Sequence, residues 1–112
     1  MSSISHSIDS DCEFAIQFLL SRQGQVRQLV VALANRNPDR SALELIFILS
    51  LAVSSIEEMF GGAEIATLTT EAWRVTALVG VDLHMMRTRG MPHVLCADLL
   101  HYWRNVDDYF LT

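Results

Sequence analysis

The sequence contains no lysine and has little positive charge altogether. All eight basic residues are arginines, against thirteen aspartates and glutamates, which gives a net charge of −5. Proteins that bind nucleic acid present clustered positive charge to the phosphate backbone, so this balance argues against a direct nucleic-acid partner. It also leaves no polybasic segment for an anionic membrane surface. The exclusive use of arginine is typical of GC-rich coding and indicates a bacterial source.

Long apolar runs and cysteines are also scarce. No segment reaches the roughly 18 apolar residues of a membrane span, and the stretch at residues 45–53 is interrupted by Ser50. The first residues, MSSISHSIDSD, contain neither a basic region nor an apolar core, so they do not form a secretory signal. Two cysteines, Cys12 and Cys96, are too few for a disulfide scaffold. We therefore expect a cytoplasmic protein with both thiols reduced.

Charged residues are few for a chain of this size. They make up 19% of the 112 residues, whereas hydrophobic residues make up 51%. Soluble domains have about 25% charged residues, and a small domain needs polar cover because its surface is large relative to its volume. The excess of apolar residues therefore favours self-association or partner binding, and we expect a homodimer.

The hydrophobic periodicity predicts an all-α protein of four helices joined by short loops. The predicted helices span residues 9–36, 41–60, 71–89 and 92–110, within a single helical domain over residues 9–112 that follows a disordered tail at residues 1–8. Gly24 falls inside the first helix, but the apolar positions keep their phase across it, so a continuous helix is expected. Residues 63–68 are predicted to form a connector, Thr69 or Thr70 to cap the third helix, and Pro92 to open the fourth.

The helix at residues 41–60 has more apolar residues than one face can hold. A helix that packs on one side shows a single apolar face, but here Leu43, Phe47 and Leu51 form a second stripe among the polar residues. The third predicted helix carries another surplus stripe, which comprises Trp73, Ala77, Gly80 and His84. We interpret both stripes as a candidate protein interface, because aromatic anchors contribute disproportionately to binding energy. The alternative is that one stripe packs inside the domain.

No catalytic signature accompanies these stripes. His84, His93 and His101 are close in sequence, but no HExxH or CxxC pattern provides the converging ligands of a zinc site. Cys96 falls on the apolar face of its predicted helix, where a thiol stays protonated and inert. We therefore expect no enzyme activity, no cofactor and no metal.

Two polar features leave alternatives open. An anion could bind over residues 87–93, to Arg87, Arg89 and the start of the fourth helix. Alternatively, the two arginines could serve only to stabilise the carboxyl end of the third helix. Asp82 falls on an apolar face, where an unpaired charge would be costly, so we expect an ion pair with an arginine such as Arg89. A functional acid is the alternative. A ligand-binding or enzymatic bundle would require Asp82, His84, Arg87 and Arg89 to converge on one pocket.

Two stretches of the sequence, ALELIFILSLAVSSIEEMF at residues 42–60 and TTEAWRVTALVGVDLHMMRTRG at residues 69–90, resemble the QslA-type quorum-sensing antiactivators. The resemblance covers residues 10–110 in length, helical makeup and lysine-poor composition. It implies a cytoplasmic homodimer that binds the ligand-binding domain of a LuxR-type transcription factor, occupies its dimerisation surface and keeps it off DNA. We therefore expect a regulatory protein-interaction module. The alternatives are a ligand-binding or enzymatic helical bundle and a secretion-type chaperone.

Overall fold

The computed structural model describes residues 6–112, and the chain is all-α, as predicted. It contains five α-helices and one short 3₁₀ helix, with no β-strand in the described residues. The elements are α1 (Ile8–Ser21), α2 (Val26–Arg36), α3 (Ala42–Met59), α4 (Ala63–Thr88), α5 (Cys96–Asn105) and the 3₁₀ helix (Tyr109–Leu111). None of the helices in residues 6–112 is long and apolar enough to cross a membrane.

The prediction of four helices is wrong because the first predicted helix is divided at residues 22–25. Arg22 adopts a left-handed backbone conformation, with φ of 54°, and ends α1. Gln25 is the N-cap of α2, and its N–H donates to the side chain of Gln28 at 2.9 Å. A Cβ at Gly24 would collide with the end of that same side chain, so a larger residue there would displace Gln28 from its hydrogen bond to Gln25. The apolar phase continues across the break because α1 and α2 contribute residues to the same core.

The predicted start of the third helix is also wrong. Residues 63–68 are not a connector but the first turns of α4, which begins directly after Gly62. The Thr69 hydroxyl donates to the carbonyl of Ile65 at 3.0 Å and therefore does not cap a helix. Threonine side chains often bond back to the carbonyl four residues earlier, which makes a threonine inside a helix hard to distinguish from a capping one.

The last helix begins at Cys96 rather than at Pro92 because a backbone contact intervenes. The Ala42 N–H donates to the Val94 carbonyl, and the Cys96 N–H donates to the Arg40 carbonyl, both at 2.8 Å. These bonds form a short antiparallel bridge between the start of α3 and the segment before α5. The helix then ends at Asn105, so the predicted continuation to residue 110 is interrupted before the 3₁₀ helix.

The core is organised around α3. Both α1 and α4 pack along α3, while α2 packs against α5 and the 3₁₀ helix. Trp103 of α5 is fully buried, and its ring centroid lies 4.7 Å from that of Phe110. The residues that α3 buries almost completely are Ala42, Leu45, Ile48, Leu49, Ala52, Val53 and Ile56.

A buried ion network connects α1 to the end of α2 and to the loop before α3. The Asp11 carboxylate accepts hydrogen bonds from Arg36 Nε and Arg40 Nη2, each at 2.8 Å. Asp11 is fully buried, and the Arg40 side chain is 6% exposed. The Asp11 carboxylate and the Arg40 guanidinium both lie in a region of low dielectric constant. Because an unpaired charge there is strongly destabilising, each group stabilises the charged form of the other.

The segment before α1 is held by the same network. Arg40 also donates to the His6 carbonyl at 2.7 Å, and the Ser7 hydroxyl caps α1 by accepting from the Ser10 N–H at 3.0 Å. Residues 1–5 of the predicted disordered tail lie outside the described residues. Residues 6–8 belong to the folded chain through these contacts.

Replacing Asp11 with alanine should destabilise the protein by about 3–5 kcal/mol, because Arg40 would remain charged in the interior without its partner. Asp9 lies in the first turn of the same helix but is exposed. Asp9→Ala should therefore cost at most about 1 kcal/mol, from its interaction with the helix dipole. Urea unfolding followed by circular dichroism measures both changes. Equal stabilities of the two variants would show that the network does not hold these elements together.

Candidate functional site: the apolar face of α3 and α4

Both apolar stripes identified in the sequence are accessible at the surface of the described chain. On α3, Leu43 is 73% exposed, Phe47 is 53% exposed and Leu51 is 41% exposed. On α4, only Gly80 is half-buried, and the other three residues of the stripe are exposed. The alternative interpretation, in which one stripe packs inside the domain, is therefore wrong.

The two stripes lie side by side because α3 and α4 run antiparallel. At one end, Leu43 and His84 line the same cavity. At the other end, the indole N–H of Trp73 donates to the Glu57 carboxylate at 3.2 Å. From these two points we infer an antiparallel register in which Phe47 and Gly80 lie at a similar height along the two helix axes. We call the combined surface the α3–α4 face, which comprises Leu43, Phe47, Leu51, Trp73, Ala77, Gly80 and His84.

Gly80 is not required by packing within the described chain. A Cβ at this position would have no atom of residues 6–112 within 4 Å, apart from its immediate helical neighbours. Glycine inside a helix costs about 1 kcal/mol relative to alanine, because it loses more backbone freedom on folding. Gly80 therefore leaves open space in the middle of the α3–α4 face, where the backbone of another chain can approach closely.

The α3–α4 face carries different charged residues at its two ends. Glu57 and Glu58 are exposed at the end near Trp73. His84 and Arg87 are exposed at the end near Leu43. Glu44, in the first turn of α3, is also exposed at this end. The two ends are chemically distinct, because only the end near Leu43 carries Arg87 and His84, and we call it the basic end.

A cavity of about 430 Å³ opens at the basic end of the face. It is bounded by the start of α3, the end of α4 and the segment that precedes α5. Its lining combines three apolar and four polar side chains, namely Leu43, Leu83, Val94, Ser41, His84, Arg87 and His93. No aspartate or glutamate of the described residues is part of this lining. Sequence reasoning missed Ser41, Leu83 and Val94, because the three segments are far apart in the chain and no spacing rule links them.

The predicted anion site at residues 87–93 is only half present. Arg87 and His93 line the cavity, but Arg89 and the N–H groups of the following helix do not contribute. The Val94 and Leu95 N–H groups donate to the Asp98 carboxylate at 3.1 and 3.0 Å. The N–H groups of the first two residues of α5 donate to carbonyls of the α2–α3 loop at 2.8 Å. An anion in the cavity would therefore be bound by side chains rather than by a helix terminus.

Asp82 lies away from the face, and its expected ion pair with an arginine is not formed. Its carboxylate accepts a hydrogen bond from the buried indole N–H of Trp103 at 2.9 Å. Burial raises the pKa of Asp82, the nearby Asp107 carboxylate adds to the shift, and the hydrogen bond from Trp103 opposes it. No salt bridge to Asp82 is present in residues 6–112. The sequence could not identify Trp103 as the donor, since the two residues are 21 positions apart.

The cysteines are buried, and neither lines the cavity. Burial raises the pKa of the Cys96 thiol to about 11, although the positive charge of Arg40 opposes this shift. The thiol is therefore protonated at neutral pH and packs in the core. Within the described part of the chain, no group of three histidine, cysteine, aspartate or glutamate side chains could hold a metal ion.

Comparison of this chain with protein-family models, with curated proteins and with solved structures finds no match. The α3–α4 face and its cavity therefore stand on their own geometry.

Replacing Gly80 with alanine should stabilise the isolated protein by about 1 kcal/mol, because the new methyl group meets no neighbour and the helix gains propensity. Gly62→Ala is the matched control. Gly62 has φ of 101°, a conformation that strains alanine, so this change should destabilise the protein by about 1 kcal/mol or more. Urea unfolding measures both effects. A loss of stability in Gly80→Ala would show that the glycine serves packing within the chain.

Proposed function

We propose that this protein is a regulatory protein-interaction module whose α3–α4 face binds an apolar helical surface of a partner protein. The observation that carries this proposal is the adjacency of the two exposed apolar stripes. Each stripe alone would be an ordinary surface feature, since single exposed apolar residues are common. Together they place exposed apolar residues on two helices that pack against each other, with chemically distinct ends, which is typical of an interaction site.

The composition of the face suits a helix as the bound element. Phe47 and Trp73 are large, exposed aromatic side chains, and aromatic residues act as anchors at interfaces. Ala77 and Gly80 are small, so a partner helix can approach the backbone of α4 between the anchors. Fully burying a large apolar side chain contributes about 1.5–3 kcal/mol. Covering Leu43 and Phe47, the most exposed members, would therefore contribute a substantial share of a specific binding energy.

The resemblance to QslA-type antiactivators supplies a candidate partner and mechanism. The two stretches that carry it correspond to α3 and α4, which are the helices of the face. We infer that the partner is the ligand-binding domain of a LuxR-type quorum-sensing activator in the bacterial cytoplasm. Binding would occupy the surface through which the activator dimerises and would thereby prevent its binding to DNA. The protein itself would act as a homodimer without contacting DNA.

The enzymatic alternative is less well supported by the arrangement of polar groups. It required Asp82, His84, Arg87 and Arg89 to converge. His84 and Arg87 line one cavity, but Asp82 bonds to Trp103 in the core, and Arg89 does not reach the cavity. An acid close to the basic residues, which general acid–base chemistry would need, is missing from the lining formed by the described residues.

Phe47→Asp should weaken binding to a LuxR-type ligand-binding domain from the same genome by at least about 30-fold, which corresponds to the loss of a binding hot spot of about 2 kcal/mol. The fold should persist, because Phe47 is exposed. Val106→Asp, at an exposed apolar residue directly after α5, is the matched control and should bind normally. Biolayer interferometry gives the affinities, and circular dichroism gives the melting temperatures. Unchanged affinity of Phe47→Asp would contradict the proposed role of the face.

Size-exclusion chromatography with light scattering should give a mass near twice 12.6 kDa. Self-association is expected because the chain is 51% hydrophobic and only 19% charged. The Phe47→Asp variant should also be dimeric if the α3–α4 face is reserved for the partner. Dissociation of this variant into monomers would assign the face to a second copy of the chain instead. A wild-type mass near 12.6 kDa would contradict the homodimer.

A further inference from the structure

The cavity at the basic end of the α3–α4 face combines groups that recognise a carboxylate with groups that recognise an apolar chain. Its volume of about 430 Å³ lies at the lower end of the range for ligand pockets, roughly 300–1,000 Å³. Arg87 provides guanidinium donors on one side, beside the imidazole rings of His84 and His93, and Leu43 and Leu83 provide apolar surface on the other.

The charge in this cavity is not neutralised within the described chain. Arg87 forms no salt bridge in residues 6–112, although acidic residues outnumber basic ones by thirteen to eight in the sequence. A second hollow, beside the α1–α2 turn, differs in this respect. Its Arg22 pairs with Glu64 at 3.7 Å, and its Arg27 donates to the Thr112 carbonyl at 2.8 Å. The cavity at Arg87 thus keeps its guanidinium available for a ligand.

His93 is oriented by the backbone. Its Nδ1 lies 3.0 Å from the Met91 carbonyl oxygen, and since a carbonyl can only accept, Nδ1 must carry the proton. The ring is therefore fixed, and Nε2 is the remaining ring nitrogen that can meet a ligand. With the proton on Nδ1, Nε2 of the neutral ring accepts a hydrogen bond. The carboxylate is therefore bound by Arg87, whose planar guanidinium can donate to both of its oxygens.

We propose that the cavity is a subsite for a carboxylate joined to an apolar group, with Arg87 as its principal anion-binding residue. This inference rests on the proposed function, in which the carboxylate is an acidic side chain beside apolar residues on the partner's helix. The same chemistry is offered by a free medium-chain carboxylic acid. The subsite orients the partner helix, because the acidic residue of the partner must lie at the end of the face that contains Arg87 and away from Glu57.

Octanoate is the probe for the subsite, with octanol and acetate as comparisons that each lack one half of the required chemistry. In ¹H–¹⁵N correlation spectra of the full chain, octanoate should shift the amides of residues 83–87 and 93–94 and should bind at least about tenfold more tightly than either comparison. Arg87→Gln should weaken octanoate binding by about tenfold or more. Arg89→Gln should leave it unchanged, because Arg89 is exposed and outside the cavity. Equal binding of octanol, or equal losses in the two variants, would overturn the subsite.

The Phe47→Asp variant separates the subsite from the proposed function. Phe47 does not line the cavity, so this variant should bind octanoate normally while losing the partner domain. Normal binding of both ligands by Phe47→Asp would overturn the proposed face and leave the subsite standing. Loss of both ligands in Arg87→Gln would support a carboxylate from the partner. If Arg87→Gln loses octanoate but still binds the partner domain, the partner is not the source of the carboxylate. The subsite would then be assigned to a free carboxylic acid.

Discussion

The whole arrangement depends on how α3 is covered. This helix has apolar residues around most of its circumference, and α1 and α4 each pack along one side of it. Two neighbours can bury the arc that contains Leu45, Ile48 and Ile56, but they cannot also enclose Leu43 and Phe47. The exposed stripe is thus a geometric consequence of a helix that is too apolar for its two neighbours. Because α4 packs on α3 and carries its own surplus stripe, the exposed apolar residues of both helices lie on neighbouring elements and meet at the cavity that Leu43 and His84 line.

The loop between α2 and α3 determines where the polar end of that surface lies. Arg40 holds this loop to α1 through Asp11, and the Arg40 carbonyl accepts the N–H of Cys96. The second bond of the bridge, from Ala42 to Val94, brings the segment before α5 against the start of α3. His93 is placed beside Arg87 by this contact. The cavity is therefore a product of tertiary backbone pairing, and it would not exist if α5 began at Pro92.

Local signals predicted part of the structure and failed where distant groups decide the outcome. The bounds of α3 were predicted to within one residue, because Ser41 caps the helix and glycines follow it. The exposed stripes follow from periodicity alone. The division at Gly24 could not be predicted, since two helices that share a core keep the same apolar phase as one. The start of α5 and the partner of Asp82 depend on contacts with residues far away in the sequence, which no local pattern encodes.

An apolar face by itself cannot specify how a partner helix is oriented. Hydrophobic attraction is non-directional, so a helix covering Phe47 and Trp73 could bind in either direction at similar cost. The charged ends remove this ambiguity, because a reversed helix would place its carboxylate against Glu57 rather than Arg87, and like charges in contact disfavour a wrong arrangement. On the proposed function, the apolar middle thus provides affinity and the Arg87 cavity provides direction. The need for both affinity and direction explains why basic side chains and apolar walls converge at one end of an otherwise apolar surface.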